Sequence, residues 1–194
     1  MLNDKLKGYS IILASGSPRR QQFFKDLNLD FEIRLKEIEE VFPDYLKAHE
    51  ITDFLSELKA NAFEGELKKE DILITSDTIV WHKNKALGKP KDYADAFKIL
   101  KSLSNETHEV ITSVCIKTTE KTTLFHETTK VTFNTLSDEA ISYYIENYKP
   151  YDKAGAYGIQ EWIGFVGVTK IEGSYANVMG MPTDKVFHYF NSIV

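Results

Sequence analysis

A short apolar segment, residues 12–14, runs directly into a Ser-Gly-Ser-Pro turn and then into two adjacent arginines. The apolar residues predict a short buried strand. Ser17 followed by Pro18 predicts the N-cap and the first residue of a helix, where a missing proline N–H does no harm. We therefore expect a strand, a tight turn and a helix, with Arg19 and Arg20 in the first helical turn.

Two arginines at this position predict a bound anion, because the N-terminus of a helix is itself positive. Backbone N–H groups, the hydroxyls of Ser15 and Ser17 and two guanidinium groups suit a phosphate. The alternative is a solvated helix start that carries two surface arginines. Composition favours the phosphate: of 24 lysines and arginines, only positions 19, 20 and 34 are arginine, the side chain with planar, bidentate donors.

The whole chain sets further limits. Its 194 residues predict one domain, spanning 1–194, with or without two lobes. A net charge of −5 provides no basic field for nucleic acid. No apolar stretch is long enough for a membrane span, and the N-terminus does not resemble a signal peptide. The single cysteine, Cys115, lies in an apolar run and is expected to be buried and reduced, which fits the cytoplasm.

Common cofactor motifs are not found in the sequence. The five histidines show no metal-ligand spacing. Neither the Gly-x-x-x-x-Gly-Lys phosphate loop nor the Gly-x-Gly-x-x-Gly dinucleotide motif occurs. Any polyanionic ligand must therefore be held by a local cluster of side chains.

Predicted helices and strands alternate along the chain. Beyond the first strand and helix, the pattern predicts a helix over 53–63, a strand over 72–81, helices capped by Asp92 and Ser137, a hairpin around 119–122, a strand over 164–173 and a closing helix over 183–194. Because one strand pair is an antiparallel hairpin, we expect a mixed sheet with helices packed on it, an α/β fold.

Asp77 lies within an apolar strand pattern, where aspartate is disfavoured and a buried carboxylate needs a partner. It has two structural explanations: a carboxylate bonded to neighbouring N–H groups, or a bulge or strand end at residues 75–78. The functional explanation is a site, in which the carboxylate serves as a metal ligand or as a general base.

Four further features are ambiguous when taken one at a time. Lys59 on its helix, Lys89 in a Gly-Lys-Pro turn and Glu40 in an acidic loop all have ordinary surface explanations. The small residues of 153–160 permit close approach of a flat ligand, and Gln160 offers an amide that donates and accepts, but a simple glycine-rich turn would look the same. Together these residues suit a nucleotide, and they leave a hydrolase and a nucleotide sensor both open.

Six segments, in this order, resemble the Maf family of nucleotide pyrophosphatases. The segments are SGSPRR, LKANA, SDTIV, LGKP, DKAGAYGIQ and IEGSYANVMGMP, and the resemblance spans the chain from Ile12 to Pro182. The resemblance implies a mixed, curved sheet with flanking helices, in two lobes around a central cleft. The chain departs from the family pattern where Glu161 and Trp162 follow Gln160 in place of small residues.

The resemblance also implies roles for individual residues. Asp77 matches the family's proton acceptor and, with Glu40, a candidate metal ligand. The positions that match phosphate-binding residues are Ser15, Arg19, Arg20, Lys59 and Lys89. The positions that match determinants of base choice are Arg19, Thr78 and Gln160.

The activity implied by the resemblance is hydrolysis of dTTP and UTP to the monophosphate and pyrophosphate, with a divalent cation, Mg²⁺ or Mn²⁺. Water would attack the α-phosphorus, and Asp77 would accept its proton, help to hold the metal, or do both. Two other functions remain open: a nucleotide-binding regulator of septum formation and cell division, and a pyrophosphatase for modified purine triphosphates. The sequence leaves the oligomeric state open, a homodimer included.

Overall fold

The computed structural model describes residues 2–193, which form a mixed α/β fold. Its strands are Ser10–Leu13 (β1), Glu32–Ile33 (β2), Asp71–His82 (β3), Lys85–Leu87 (β4), Thr107–Lys117 (β5), Thr122–Phe133 (β6) and Val168–Glu172 (β7). Its α-helices are Leu2–Lys5 (α1), Pro18–Asp26 (α2), His49–Asn61 (α3), Tyr93–Leu103 (α4), Asp138–Tyr148 (α5), Trp162–Gly167 (α6), Tyr175–Val178 (α7) and Thr183–Ser192 (α8), and a 3-10 turn covers Ala154–Ala156.

The seven strands form one mixed sheet in the order β2-β1-β3-β5-β6-β7, with β4 paired to β3. Strand β1 runs parallel to β2 and β3, and Leu13 lies opposite both Ile33 and Ile74. Strands β3 and β4 are antiparallel, as are β6 and β7. The predicted mixed α/β class is therefore confirmed. Within residues 2–193, no helix combines the length and the apolar character that a membrane span requires.

The chain divides into two compact units. The first unit comprises the residues up to Asp77, Thr112–Glu127 and the residues from Gly180 onward, and the second comprises Thr78–Ile111 and Thr128–Met179. Each unit has its own hydrophobic core. Fully buried members in the first unit include Leu13, Phe24, Ile74 and Phe190, and those in the second include Leu100, Phe133, Ile141 and Ile145.

Local sequence signals place most helix starts correctly. Pro18 is the first residue of α2, and Ser17 precedes it with an extended backbone, although the Ser17 hydroxyl makes no capping bond. The carboxylate of Asp92 accepts the N–H of Asp95 at 2.8 Å, and the hydroxyl of Ser137 accepts the N–H of Ala140 at 3.2 Å. These bonds satisfy N–H groups that have no partner within the helix.

The predicted strand over 164–173 is wrong in its first half. Residues up to Gly167 belong to α6, and only Val168–Glu172 form a strand. Ile163 and Gly167, four residues apart, are the buried positions of α6, whereas Phe165 is 78% exposed. This helical spacing of burial, and the acceptance of the Gly164 N–H by the Glu161 carbonyl, outweigh the strand propensity of the valines and phenylalanine.

Helix α3 begins at His49, four residues before its predicted start. The extra turn is amphipathic in its own right, because Ile51 and Thr52 are buried while His49 and Glu50 face solvent. Lys59 lies in the last turn of this helix, as expected.

Candidate active site

The loop after β1 lies beside the middle of β3 in the first unit. Leu13 pairs with Ile74, and the Ala14 N–H donates to the Ile74 carbonyl at 2.9 Å. Strand β1 ends at Leu13, opposite Ile74, whereas β3 continues to His82. Ser15 and Asp77 therefore both lie beyond the point at which β1 ends, and Asp77 is an interior residue of β3 rather than the end of a strand, as one structural explanation had it.

The turn after β1 is fixed by its own polar groups. The N–H of Ser17 donates to the Ser15 hydroxyl at 3.3 Å, and the Gln21 side-chain amide donates to the Ser15 carbonyl at 3.2 Å. Ser15 is only 7% exposed, so its hydroxyl is held rather than free to rotate through solvent. No acidic side chain lies in the first turn of α2, which leaves Arg19 and Arg20 at a positive helix end.

Arg20 spans three segments of the first unit. Its Nε donates to the carbonyl of Gly180 at 2.8 Å, and its Nη1 donates to the carbonyl of Ser76 at 2.8 Å, with the Ser15 hydroxyl 3.5 Å from Nη1. Burial lowers the pKa of the Arg20 guanidinium, and the charge of Asp77 opposes that shift. Arg20 therefore fixes the backbone next to Asp77, a role that needs the several directed donors of a guanidinium.

Asp77 is held in place by Lys59. The Lys59 Nζ lies 2.6 Å from Oδ1 of Asp77 and 2.9 Å from Oε1 of Glu40. The side chains of Lys59 and Asp77 are 16% and 11% exposed, whereas that of Glu40 is 47% exposed. One ammonium thus links a buried carboxylate on β3 to a carboxylate on the loop before α3, so the ionised Asp77 has the partner that burial requires.

Residues 10–193 match the model of the family described as Maf-like protein. The chain belongs to this family.

Curated relatives of this Maf-like chain align over nearly their full length. A protein of Flavobacterium johnsoniae named dTTP/UTP pyrophosphatase is 73% identical over 194 residues, which cover 100% of both chains. A Flavobacterium psychrophilum protein of the same name is 65% identical over 189 residues, 97% of each chain. Among solved structures, the Staphylococcus aureus Ham1 protein is a distant neighbour, with 17% identity, a TM-score of 0.43 and coverage of 64% of this chain and 71% of that chain.

The structure places six of the predicted site residues of the Maf-like chain in the first unit, and five of them are linked directly or through neighbouring groups. Ser15, Arg20, Asp77, Lys59 and Glu40 are connected by the bonds described above, and Arg19 lies beside Arg20 on α2. Thr78, Lys89 and Gln160 lie in the second unit. Within that unit, Lys89 is exposed and Thr78 and Gln160 are partly buried.

The small-residue loop before Gln160 is shaped by its glycines. Gly155 has a φ of +70°, and a Cβ there would lie 2.5 Å from a methyl carbon of Val80. The Gly155 N–H also donates to the Gly88 carbonyl at 3.1 Å, which joins this loop to the turn that carries Lys89. A side chain at Gly155 would therefore strain the backbone and displace β3.

Sequence reasoning missed the residues that support this loop. The Tyr144 hydroxyl donates to Glu161 and accepts the Gly158 N–H at 2.9 Å, while the Lys153 ammonium lies 3.2 Å from Glu161. Burial and then the bond to Glu161 raise the pKa of Tyr144, so its phenol remains protonated. The signal was available in the sequence: Glu161 stands directly after Gln160, where the family pattern has small residues, and here its carboxylate braces the loop.

The donors at Asp77 and Glu40 fit a hard divalent cation. Both are carboxylates, the oxygen ligands that Mg²⁺ and Mn²⁺ prefer. The Nζ of Lys59 lies 2.6 Å from Oδ1 of Asp77 and 2.9 Å from Oε1 of Glu40, so the two carboxylates lie close to each other. Two carboxylates of this kind can bind a divalent cation.

Proposed function

We propose that this chain is a nucleoside triphosphate pyrophosphatase that hydrolyses dTTP and UTP to the monophosphate and pyrophosphate. The observation that carries the proposal is the buried carboxylate of Asp77 within β3, held at 2.6 Å by Lys59. The names of the relatives at 73% and 65% identity support the same activity.

The proposed reaction is an attack of water on the α-phosphorus. A bond forms between the water oxygen and that phosphorus, the bond to the oxygen bridging the α- and β-phosphates breaks, and pyrophosphate leaves. Asp77 accepts a proton from the attacking water, and Lys59 orients the carboxylate through its bond to Oδ1.

The remaining site residues act mainly through charge. Arg19, Lys59 and Lys89 stabilise the negative charge of the phosphates, where most catalysis of phosphoryl transfer resides. Ser15 contributes a hydroxyl, and Arg20 holds the backbone of Ser76 and Gly180 while its charge adds to the same field. A divalent cation, Mg²⁺ or Mn²⁺, held by Glu40 and Asp77 would supply further neutralisation of phosphate charge.

Base choice rests in this proposal on Gln160, with Arg19 and Thr78. Uracil and thymine present an acceptor, a donor and an acceptor, which one side-chain amide and neighbouring backbone groups can match. Cytosine reverses two of these groups. An unpaired polar group in a dry site costs about 1–3 kcal/mol, so two mismatches would favour UTP over CTP by about 30-fold or more in kcat/KM.

The test measures pyrophosphate release from UTP, dTTP, CTP, GTP and 7-methyl-GTP by the wild type and by Gln160→Ala. We expect comparable kcat/KM for UTP and dTTP, much lower values for CTP and GTP, and a narrower UTP/CTP ratio in the variant. Gln22→Ala, which removes an exposed amide bonded to Asp26 on α2, is the matched control and should leave the ratio unchanged. A preference for GTP or its methylated form would refute the proposed substrates.

The site of attack is tested separately with isotopically labelled water. Label should appear in the nucleoside monophosphate and not in pyrophosphate. Label in pyrophosphate would mean attack at the β-phosphorus. That result would refute the proposed mechanism but would not affect the proposed substrate preference.

We further propose that residues 1–194 act as one pyrophosphatase domain in the cytoplasm. The lone cysteine, Cys115, is fully buried, and burial raises its thiol pKa to about 11, so it behaves as an inert apolar side chain of the kind found in reducing compartments. Whether two chains form a homodimer can be read from the mass in solution.

A further inference from the structure

Two histidines and an aspartate meet in the first unit, away from the Lys59–Asp77 pair. His49 is the first residue of α3, Asp53 lies one turn later on the same helix, and His126 lies on β6. One ligand atom from each side chain falls within 4.8 Å of the others. The two imidazole rings stack with centroids 4.2 Å apart, and Nδ1 of His126 lies 3.3 Å from Oδ2 of Asp53.

The aspartate of this cluster is held by buried hydroxyls. Ser113 donates to Oδ1 of Asp53 at 2.6 Å, and the Ser113 oxygen lies 2.6 Å from that of Thr52. Ser113 and Thr52 are both fully buried, so the orientation of the Asp53 carboxylate is fixed by its bond to a buried hydroxyl. Oδ2 is thereby directed towards His126. A carboxylate oriented by a hydroxyl of this kind is typical of metal ligands, whose outer partners set their geometry.

The donor set distinguishes this cluster from the Asp77 site. Two imidazole nitrogens and one carboxylate oxygen suit Zn²⁺ and the neighbouring transition metals, whereas Mg²⁺ prefers oxygen alone. Zn–ligand distances of 2.0–2.1 Å place tetrahedral ligands about 3.3 Å apart. The His126–Asp53 separation already equals that value. His49 is exposed, so a change of its side-chain rotamer can bring a ring nitrogen to the metal-binding distance.

The surrounding charges also permit a cation. The ammonium of Lys185 donates to the backbone carbonyl of His126 at 2.7 Å, but it lies 2.5 Å from the carboxylate of Glu127, which offsets its charge. The side chains of His126 and Asp53 are 40% and 23% exposed, which leaves room for water to complete the coordination.

We propose that His49, Asp53 and His126 bind a zinc-class divalent cation that clamps the start of α3 to β6. Asp53 and His49 bind from one helix face at positions four apart, and His126 binds from the strand. Helix α3 also carries Lys59, so the bound cation would stiffen the helix that positions the Asp77 carboxylate. The spacing of the histidines in the sequence did not predict this site, because His126 is brought to α3 only by the tertiary fold.

The test is metal binding by chelator-treated full-length protein in excess Mg²⁺, which is present to compete at the oxygen-donor site. We expect calorimetry to show one Zn²⁺ per chain, and Co²⁺ to give visible absorption of a site with nitrogen ligands. Zn²⁺ at about one hundred times its dissociation constant should raise Tm by about 5–10 °C.

Substitutions distinguish the proposed metal ligands from the serine that orients Asp53. His49→Ala and His126→Ala should each weaken Zn²⁺ binding at least tenfold and abolish the Tm increase, with the metal-free Tm little changed for the exposed His49. Ser113→Ala should weaken binding by about 10–100-fold through the freed carboxylate. His188→Ala removes an exposed imidazole on α8 and should bind Zn²⁺ as the wild type does. The proposal would be overturned if the wild type bound no Zn²⁺, or if both histidine variants bound Zn²⁺ as tightly as the wild type. Either result would stand whatever the pyrophosphatase assays show.

Discussion

The bond between Lys59 and Asp77 allows the loss in free energy of unfolding to be predicted for a variant that lacks the lysine. In the variant Lys59→Met, the Asp77 carboxylate, at 11% side-chain exposure, would lose the ammonium that lies 2.6 Å away. Removal of one partner of a buried ion pair costs about 3–5 kcal/mol. We expect the lower end of that range, because Glu40 is 47% exposed and regains water when the lysine is lost.

Asp77→Asn should leave stability almost unchanged and lower activity. Lys59 would retain Glu40 at 2.9 Å and an amide oxygen in place of the carboxylate, so the free energy of unfolding should change by less than about 1 kcal/mol. Activity should nevertheless fall by about 10²–10⁴, the usual contribution of a positioned general base. In the Asp77→Asn background, Lys59→Met should then cost about 1–3 kcal/mol less than in the wild type.

The assay is urea unfolding followed by circular dichroism on the wild type, both single variants and the double variant, with kcat/KM for UTP measured alongside. Lys101→Met is the control, because the Lys101–Asp138 pair is more than half exposed on both sides and its loss should cost at most about 1 kcal/mol. A coupling energy within about 0.5 kcal/mol of zero, at unchanged m-values, would show that the pair is not energetically linked. Near-normal turnover by Asp77→Asn would remove its role as proton acceptor.

Three further predictions address the arginines, the buried histidine and the small-residue loop. Arg20→Lys should lower both the unfolding free energy and kcat/KM, because one ammonium cannot replace two directed bonds to backbone carbonyls, and Arg19→Lys should lower kcat/KM; an unchanged urea midpoint for Arg20→Lys would contradict this. Burial, with a smaller contribution from a nearby histidine charge, lowers the pKa of His108 to about 3, so only the unfolded chain takes up this proton between about pH 6.5 and 3. Stability should therefore fall as pH drops through that window, by up to about 1.4 kcal/mol per pH unit, and unfolding curves of His108→Gln at pH 7 and 5 should lack this part of the loss. Gly155→Ala should destabilise the protein by about 1–3 kcal/mol, since its φ is +70° and its Cβ would clash, while Gly88→Ala, with open space around its Cβ, should not; similar urea midpoints for the two would count against the close packing of the loop.

The candidate site was only partly readable from the sequence. Asp77 stood out because a carboxylate interrupts an apolar strand, and Arg19 and Arg20 stood out because they follow a helix start. The sequence did not show that two of the Arg20 bonds go to the carbonyls of Ser76 and Gly180, because Gly180 lies 160 positions further along the chain. Glu161 departs from the family pattern in the sequence, but its partners Tyr144 and Lys153 are brought to it only by the fold.

The sequence by itself determined the elements whose signals lie within a few residues of one another. The Ser-Pro start of α2 follows from the fixed backbone of proline, the caps at Asp92 and Ser137 follow from local hydrogen bonds, and the hairpin between β5 and β6 follows from short-range periodicity. Only the tertiary structure decided that Trp162–Gly167 form a helix and that His126 meets α3. The physical reason is that caps and turns are satisfied by neighbouring residues, whereas burial and side-chain partners are chosen by segments far apart in the chain.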